Sequence, residues 1–187
     1  YPPIGDQEIA AFASSSAVVL TAGGEGSRLS SITDQSQAHK VALQLPNGDT
    51  MIERIIKMYR EAGFKHFVVL VYHRASSILD LLKDGAQLGV SIEYSEDPGR
   101  PVGRGGAIRN AIENGTIREN ESFIVHNPDD QIVNYAGDFV HDIVCAHLAG
   151  TKKNMVGTAV LSDGITYPFT GMMVNKGIVE AIQMYPF

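Results

Sequence analysis

Short apolar runs alternate with amphipathic stretches along most of this chain, and that rhythm restricts the fold more than any other feature. AVVLTAG (17–23), HFVVLVY (66–72), SIEYSED (91–97) and SFIVHNPD (122–129) are rich in β-branched and aromatic residues and read as strands. The first two are apolar nearly throughout, as strands buried on both faces of a parallel sheet are. Helical patterns lie between them. In MIERIIKMYREAGF, Ile52, Ile55, Ile56 and Tyr59 recur at i, i+3, i+4 and i+7, and Gly63 stands where a helix would stop. ASSILDLLKDGAQLG (75–89), RGGAIRNAIENG (104–115) and YAGDFVHDIVCAHLAG (135–150) continue the theme, the last ending at Gly150. The fold class expected is therefore α/β: a Rossmann-like, mostly parallel, doubly wound sheet flanked by helices.

In such sheets ligands bind outside the carboxyl ends of the strands. Three unusual stretches fall at such ends: GGEGSR (23–28), EDPGRPVGRGG (96–106) and NPDD (127–130). Beyond about residue 152 the rhythm changes. NMVGTAVLSD (154–163), PFTGMMVN (168–175) and GIVEAIQMYP (177–186) read as consecutive strands of a small β-rich annex, with NKG (175–177) as a hairpin turn. Residues 1–16 read as an N-terminal extension carrying a short helix capped by Asp6. The polar SSITDQSQAHK (30–40) reads as a loop. An apolar ending at Phe187 with no closing helix leads us to expect that the domain spanning 17–187 lacks its C-terminal part.

Composition excludes several classes of function. An apolar fraction of 44% against 19% charged residues describes a packed core rather than a disordered chain. A net charge of −6 argues against a protein that wraps a nucleic-acid backbone, although a few focused cations can still hold a small anion. Cys145 is the single cysteine, so no intrachain disulfide forms, and its apolar surroundings suggest a core position. The run FVVLVY (67–72) is far short of the ~20 residues a membrane span needs, and the acidic N-terminus is no secretory signal. A cytoplasmic location is expected, with no membrane partner.

The glycine stretch carries the most chemistry. Without a Cβ, Gly23, Gly24 and Gly26 let backbone N–H groups approach a ligand, and Arg28 adds a planar cation suited to phosphate. The pattern is neither G-x-G-x-x-G nor the phosphate loop G-x-x-x-x-G-K-[ST], and a tight turn would also use it. Gly103, Gly105 and Gly106 open the helix after the third strand, where free amides await an anion or merely permit close packing. Asn127-Pro128-Asp129-Asp130 is good turn chemistry and also offers carboxylates. The six histidines show no spacing that demands a metal, though His126 adjoins this loop.

VVLTAGGEGSRLSSIT, followed by Lys40 twelve residues after Arg28, resembles the opening signature of the sugar-phosphate nucleotidyltransferases, or NDP-sugar pyrophosphorylases. The likeness continues through MIERIIKMYREAGF, GVSIEYSED, PVGRGGAIRNAI and HNPDD. It implies an enzyme that joins a nucleoside triphosphate to a sugar 1-phosphate and releases pyrophosphate, by in-line attack on the α-phosphorus. It implies further that Gly23, Gly24, Gly26, Ser27, Gly103, Gly105 and Gly106 wrap the nucleotide and that Arg28 meets the β- and γ-phosphates. Lys40 would sit by the α-phosphate and sugar phosphate, and Asp129, with Asp130 as alternative, would bind Mg²⁺. A second metal-binding aspartate is expected beyond Phe187. The chain departs from the family pattern at Met184-Tyr185-Pro186, where Glu-Lys-Pro is common, at Ala38-His39-Lys40 in place of Pro-Lys-Pro, and at Arg104 in place of threonine or alanine. Those departures leave as an alternative a diverged module that binds nucleotide or a partner protein; a cytidylyltransferase acting on an alcohol phosphate or a sugar acid shares the glycine loop and is a further one. A homo-oligomer is left open.

Overall fold

The computed structural model describes residues 3–26, 30–161, 171–175 and 178–183. Four strands, β1 (Ala17–Ala22), β2 (His66–Val71), β3 (Ser91–Glu96) and β4 (Phe123–His126), form a parallel sheet in the order β3-β2-β1-β4. The helices are α1 (Asp6–Ser15), α2 (Ser30–Ser36), α3 (Met51–Glu61), α4 (Ala75–Leu82), α5 (Gly103–Glu113) and α6 (Phe139–Thr151). The expected α/β class is what the structure shows.

Strand alternation distributes the core between two faces. Val18, Leu20 and Ala22 of β1 join Phe67, Val69 and Val71 of β2 on one face, under Ile52, Ile55, Ile56 and Tyr59 of α3, Ile78 and Leu82 of α4, and Val140 and Val144 of α6. Ala17 and Val19 join Val68 and Leu70 on the other, under Ala111 of α5. These side chains are almost fully buried, the valines, leucines, isoleucines and Phe67 each worth about 1.5–3 kcal/mol in apolar transfer. The near-continuous apolar character of β1 and β2 follows from being covered on both sides.

This topology positions the site. After β1 the chain crosses under α3 and returns as β2; after β3 it crosses under α5 on the opposite face and returns as β4, on the other flank of β1. The order reverses between β1 and β4, and the crevice above their carboxyl ends is where doubly wound sheets take ligands.

Several expectations are corrected. Residues 30–36 are helical, not a loop: polar α2 buries Thr33, and the Arg74 guanidinium donates to the Thr33 and Ala38 carbonyls and pairs with Asp34. Tertiary hydrogen bonds outweigh the absence of an apolar stripe. The cap of α1 is Gly5, whose N–H donates to the Glu8 carboxylate at 3.2 Å, while Asp6 lies in the first turn. Through Ala13, Ile9 and Phe12 this helix packs on the main core. The fourth strand stops at His126, because the chain turns at once into the Asn127–Asp130 bend. Residues 154–161 form no strand, and Val156 is fully exposed with no described strand beside it. β5 (Gly171–Asn175) and β6 (Ile178–Gln183) pair antiparallel; SDGITY (162–167) and most of NKG (175–177) fall outside the described residues. Cys145 is only half-buried, on the side of α6 that carries His141.

The helix expected over 75–89 ends at Leu82, and the turn that follows passes through Gly85 (φ +83°), where a Cβ would stand 2.7 Å from Ile92 Cγ1 and 2.9 Å from the Val90 carbonyl oxygen. Gly85→Ala combines a left-handed backbone with that clash and is expected to cost roughly 2–4 kcal/mol, read as a lower urea midpoint.

Candidate active site

β1 delivers the chain to the carboxyl edge of the sheet beside the strand-order reversal, and the glycine stretch begins at its end. Gly26 has φ +65°, and a Cβ there would lie 3.4 Å from Lys40 Cδ, so the stretch rests against the aliphatic stem of Lys40. Gly24 is exposed, with nothing within 4 Å of a Cβ position, which leaves room for a ligand at the backbone. Ser27 and Arg28 fall outside the described residues.

Lys40 opens a 3₁₀ turn (Lys40–Ala42) fixed from below by the buried Val41. His39 caps the turn, its Nδ1 accepting from the Val41 N–H at 3.3 Å. The turn aims Lys40 at the β4 loop, where Nζ lies 2.5 Å from Asp129 Oδ2. Residues 89 positions apart in sequence thus meet directly above the strand-order reversal.

The β4 loop is held by several bonds. Thr21 Oγ1 donates to Asn127 Oδ1 at 2.6 Å, joining the ends of β1 and β4. Asn127 Nδ2 donates to Asp130 Oδ2 at 2.8 Å, and the Asp130 N–H donates to the Asn127 carbonyl. Asn127 therefore occupies the Asp130 carboxylate, while that of Asp129 faces Lys40. Between the two adjacent acids, the geometry singles out Asp129. Burial by itself would raise the Asp129 carboxyl, but the Lys40 hydrogen bond and charge, with a contribution from Arg104, hold it below the usual range. Asp129 is ionised at neutral pH and open enough to exchange Lys40 for another cation.

Two buried imidazoles support the site. His126 Nε2–H donates to the Asp130 carbonyl at 2.9 Å, which leaves Nδ1 to accept from the Tyr59 hydroxyl at 3.0 Å. A core residue of α3 thereby steadies the acidic loop. The same logic applies to His39, whose Nδ1 takes the Val41 N–H and whose Nε2–H donates to the Gly24 carbonyl at 2.8 Å. Burial lowers the basicity of both rings, and their carbonyl partners offset it in part. The unfolded chain binds the proton nearer pH ~6.5, so folding stability is intact above that pH and is lost as pH falls through it. Urea unfolding should show stability falling as pH drops below about 6.5, with a slope of at most about 1.4 kcal/mol per pH unit for each of these histidines, and His126→Gln should remove its share.

The α5 terminus lies at the carboxyl end of β3, on the same edge of the sheet. Its cap position, Val102, provides no side-chain acceptor, so the first amides of α5 remain available. Gly106 is required by packing, because a Cβ there would come within 2.8 Å of Val102 Cβ. Gly103 (φ +73°) and Gly105 have open space instead. Sequence reasoning singled out Lys40, Asp129 and the glycines but missed His39, Thr21 and Arg74, whose roles depend on burial and partners that no sequence pattern displays. Asn127, though quoted in the motif, was not recognised as the link to β1.

Among the described residues no three His, Cys, Asp or Glu side chains group as a metal cluster, and Asp129 stands there as a single available carboxylate. Mg²⁺ commonly takes one or two carboxylates plus substrate phosphates. No described helix is long and apolar enough to cross a membrane.

Comparison with known proteins places this arrangement. The nucleotidyl transferase family model matches residues 16–162. Among solved structures, a protein assigned as a glucose-1-phosphate thymidylyltransferase from Bacillus anthracis, in complex with sucrose, superposes with TM-score 0.69 at 18% identity, over 91% of this chain and 64% of that one. HddC from Yersinia pseudotuberculosis complexed with GMP-PN gives TM-score 0.63 at 19% identity, covering 89% and 68% of the respective chains. A UDP-glucose pyrophosphorylase complexed with UDP-glucose gives 0.55 at 17%, covering 74% and 54%. The chain thus spans less than two thirds of the Bacillus and pyrophosphorylase structures it resembles. No curated protein sequence matched. The family match takes in β1 through α6, with the parallel sheet and both arms of the Lys40–Asp129 contact, and the chain belongs to the nucleotidyl transferase family.

Proposed function

We propose that the chain joins a nucleoside triphosphate to a sugar 1-phosphate, giving an NDP-sugar and pyrophosphate. The observation that supports this most is the 2.5 Å contact of Lys40 with Asp129, poised over the glycine stretch at the strand-order reversal. A partly exposed cation and carboxylate that neutralise each other can separate when a triphosphate and its counter-ion offer each a new partner. Lys40 would then face the α-phosphate and sugar phosphate, and Asp129 would be the residue to hold a divalent ion accompanying the nucleotide.

In the reaction a sugar-phosphate oxygen bonds to the α-phosphorus as the bond from that phosphorus to the β-bridging oxygen breaks. The pair of electrons leaves with pyrophosphate, and no covalent enzyme intermediate forms. Such a transfer needs positioning and charge neutralisation more than acid–base chemistry. Gly23, Gly24, Gly26 and Ser27 bind the nucleotide through backbone amides, joined by the α5 amides at Gly103, Gly105 and Gly106. Arg28 receives the departing β- and γ-phosphates, and Lys40 stabilises charge as it shifts around the α-phosphorus. Bound Mg²⁺ would supply further neutralisation of the triphosphate at Asp129. The neighbouring folds include a thymidylyltransferase and a UDP-glucose pyrophosphorylase, which is consistent with this substrate class.

The test is pyrophosphate release by the full-length protein across panels of nucleoside triphosphates and sugar 1-phosphates with Mg²⁺. Turnover with at least one pair is expected. Silence with every pair overturns the proposal, and nucleotide binding without turnover would leave a binding module.

A further inference from the structure

The glycine stretch and the Lys40 turn come from different segments, and one side chain ties them together. His39 is 1% exposed, yet both ring nitrogens are engaged: Nδ1 accepts from Val41 N–H and Nε2–H donates to Gly24 carbonyl at 2.8 Å. A backbone N–H can only donate and a carbonyl can only accept, so these partners fix one neutral tautomer. The backbone of His39 is anchored as well. Its N–H donates to Ser77 Oγ at 3.0 Å, and that hydroxyl donates to the Arg74 carbonyl at 2.8 Å. Arg74 in turn donates to the Ala38 carbonyl at 3.1 Å. The imidazole therefore projects from a fixed base on α4 to a glycine carbonyl that no other described side chain holds.

We infer that His39 is a positioning residue, setting the register between the glycine stretch and the Lys40 ammonium so that a nucleotide held by the first presents its α-phosphate to the second. The kinetic consequences rest on the proposed transfer reaction; the mechanical tie does not. Nothing lies within 4 Å of a Cβ position at Gly24, and Gly26 lies along the Lys40 stem. Without the His39 bond the stretch would still offer its amides to a nucleotide, so affinity would suffer little. The α-phosphorus would sit out of register, and displacement by ~1 Å can cost ~10²-fold in rate.

Two substitutions divide the ring's functions. In His39→Asn the amide oxygen falls near the Nδ1 position and keeps the cap on Val41, since asparagine caps well, while the reach to Gly24 is lost. In His39→Gln the amide nitrogen reaches the Nε2 position and keeps the Gly24 bond, while the cap is lost. His39→Asn should lower kcat by about 10–100-fold with nucleotide KM within about threefold of wild type, whereas His39→Gln should retain kcat within about fivefold. Melting temperatures are measured alongside. Equal losses in the two variants, losses that follow melting temperature, or wild-type kcat in His39→Asn would overturn the inference. Amide-nitrogen NMR order parameters in the full-length protein read the tie without any substrate. Over residues 23–26 they should fall in His39→Asn and stay near wild type in His39→Gln. Unchanged order at 23–26 in His39→Asn would likewise refute it. Should the wild type prove silent with every substrate pair, the transfer reaction falls while the order parameters still decide the tie.

Discussion

Lys40→Ala is expected to lower kcat/KM for pyrophosphate release by about 10²–10³-fold, with most of the loss in kcat. The ammonium is placed where charge redistributes around the α-phosphorus, so its contribution grows in the transition state. Stability should hardly move. The Lys40–Asp129 pair is partly exposed at both ends, and such pairs contribute about 0–1 kcal/mol. A melting temperature near wild type, together with the collapse in turnover, separates this role from a structural one. Nucleotide affinity should also weaken, because the crevice would then present Asp129 to the phosphates without its counter-charge. Retention of wild-type turnover would remove Lys40 from the mechanism.

Asp129→Asn should reduce kcat by a comparable factor, about 10²-fold or more, and raise the Mg²⁺ concentration needed for half-maximal rate. Its effect on binding runs the other way. The substitution keeps the shape of the side chain, removes a carboxylate that repels phosphate and releases Lys40 from its 2.5 Å partner. Metal-free nucleotide should therefore bind severalfold more tightly than to wild type, an effect that fades as salt screens it. Tighter metal-free binding with lost turnover is hard to obtain from a misfolded loop, and calorimetry with and without Mg²⁺ reads both quantities. Weaker binding under both conditions would place Asp129 in a structural role.

How much of this was visible in the chain depends on whether the deciding contacts are local. β1 and β2 were legible because burial on both faces leaves an unbroken apolar run, and α3 because its four core residues keep helical spacing. The helix α2 was not, because its hold comes from Arg74, some 40 residues away, rather than from an apolar stripe. At 154–161 the apolar residues imitate a strand that has no described partner, and alternation alone cannot provide one. The glycine stretch and the acidic loop could be placed at strand ends from the sequence, since topology alone puts them there. The family resemblance already preferred Asp129 to Asp130, but that Asn127 occupies the Asp130 carboxylate could not be read from the sequence. His39 carried no signal beyond an unusual neighbour for Lys40; its meaning emerges from burial and from the Gly24 carbonyl.

A crystal structure of the full-length protein with Mg²⁺ and a non-hydrolysable nucleoside triphosphate analogue tests the central claim most directly. The account predicts the nucleotide in the crevice between β1 and β4, Lys40 Nζ on a phosphate oxygen, Asp129 on the metal, and the pair between them opened. A nucleotide bound elsewhere while Lys40 and Asp129 stay together would contradict it.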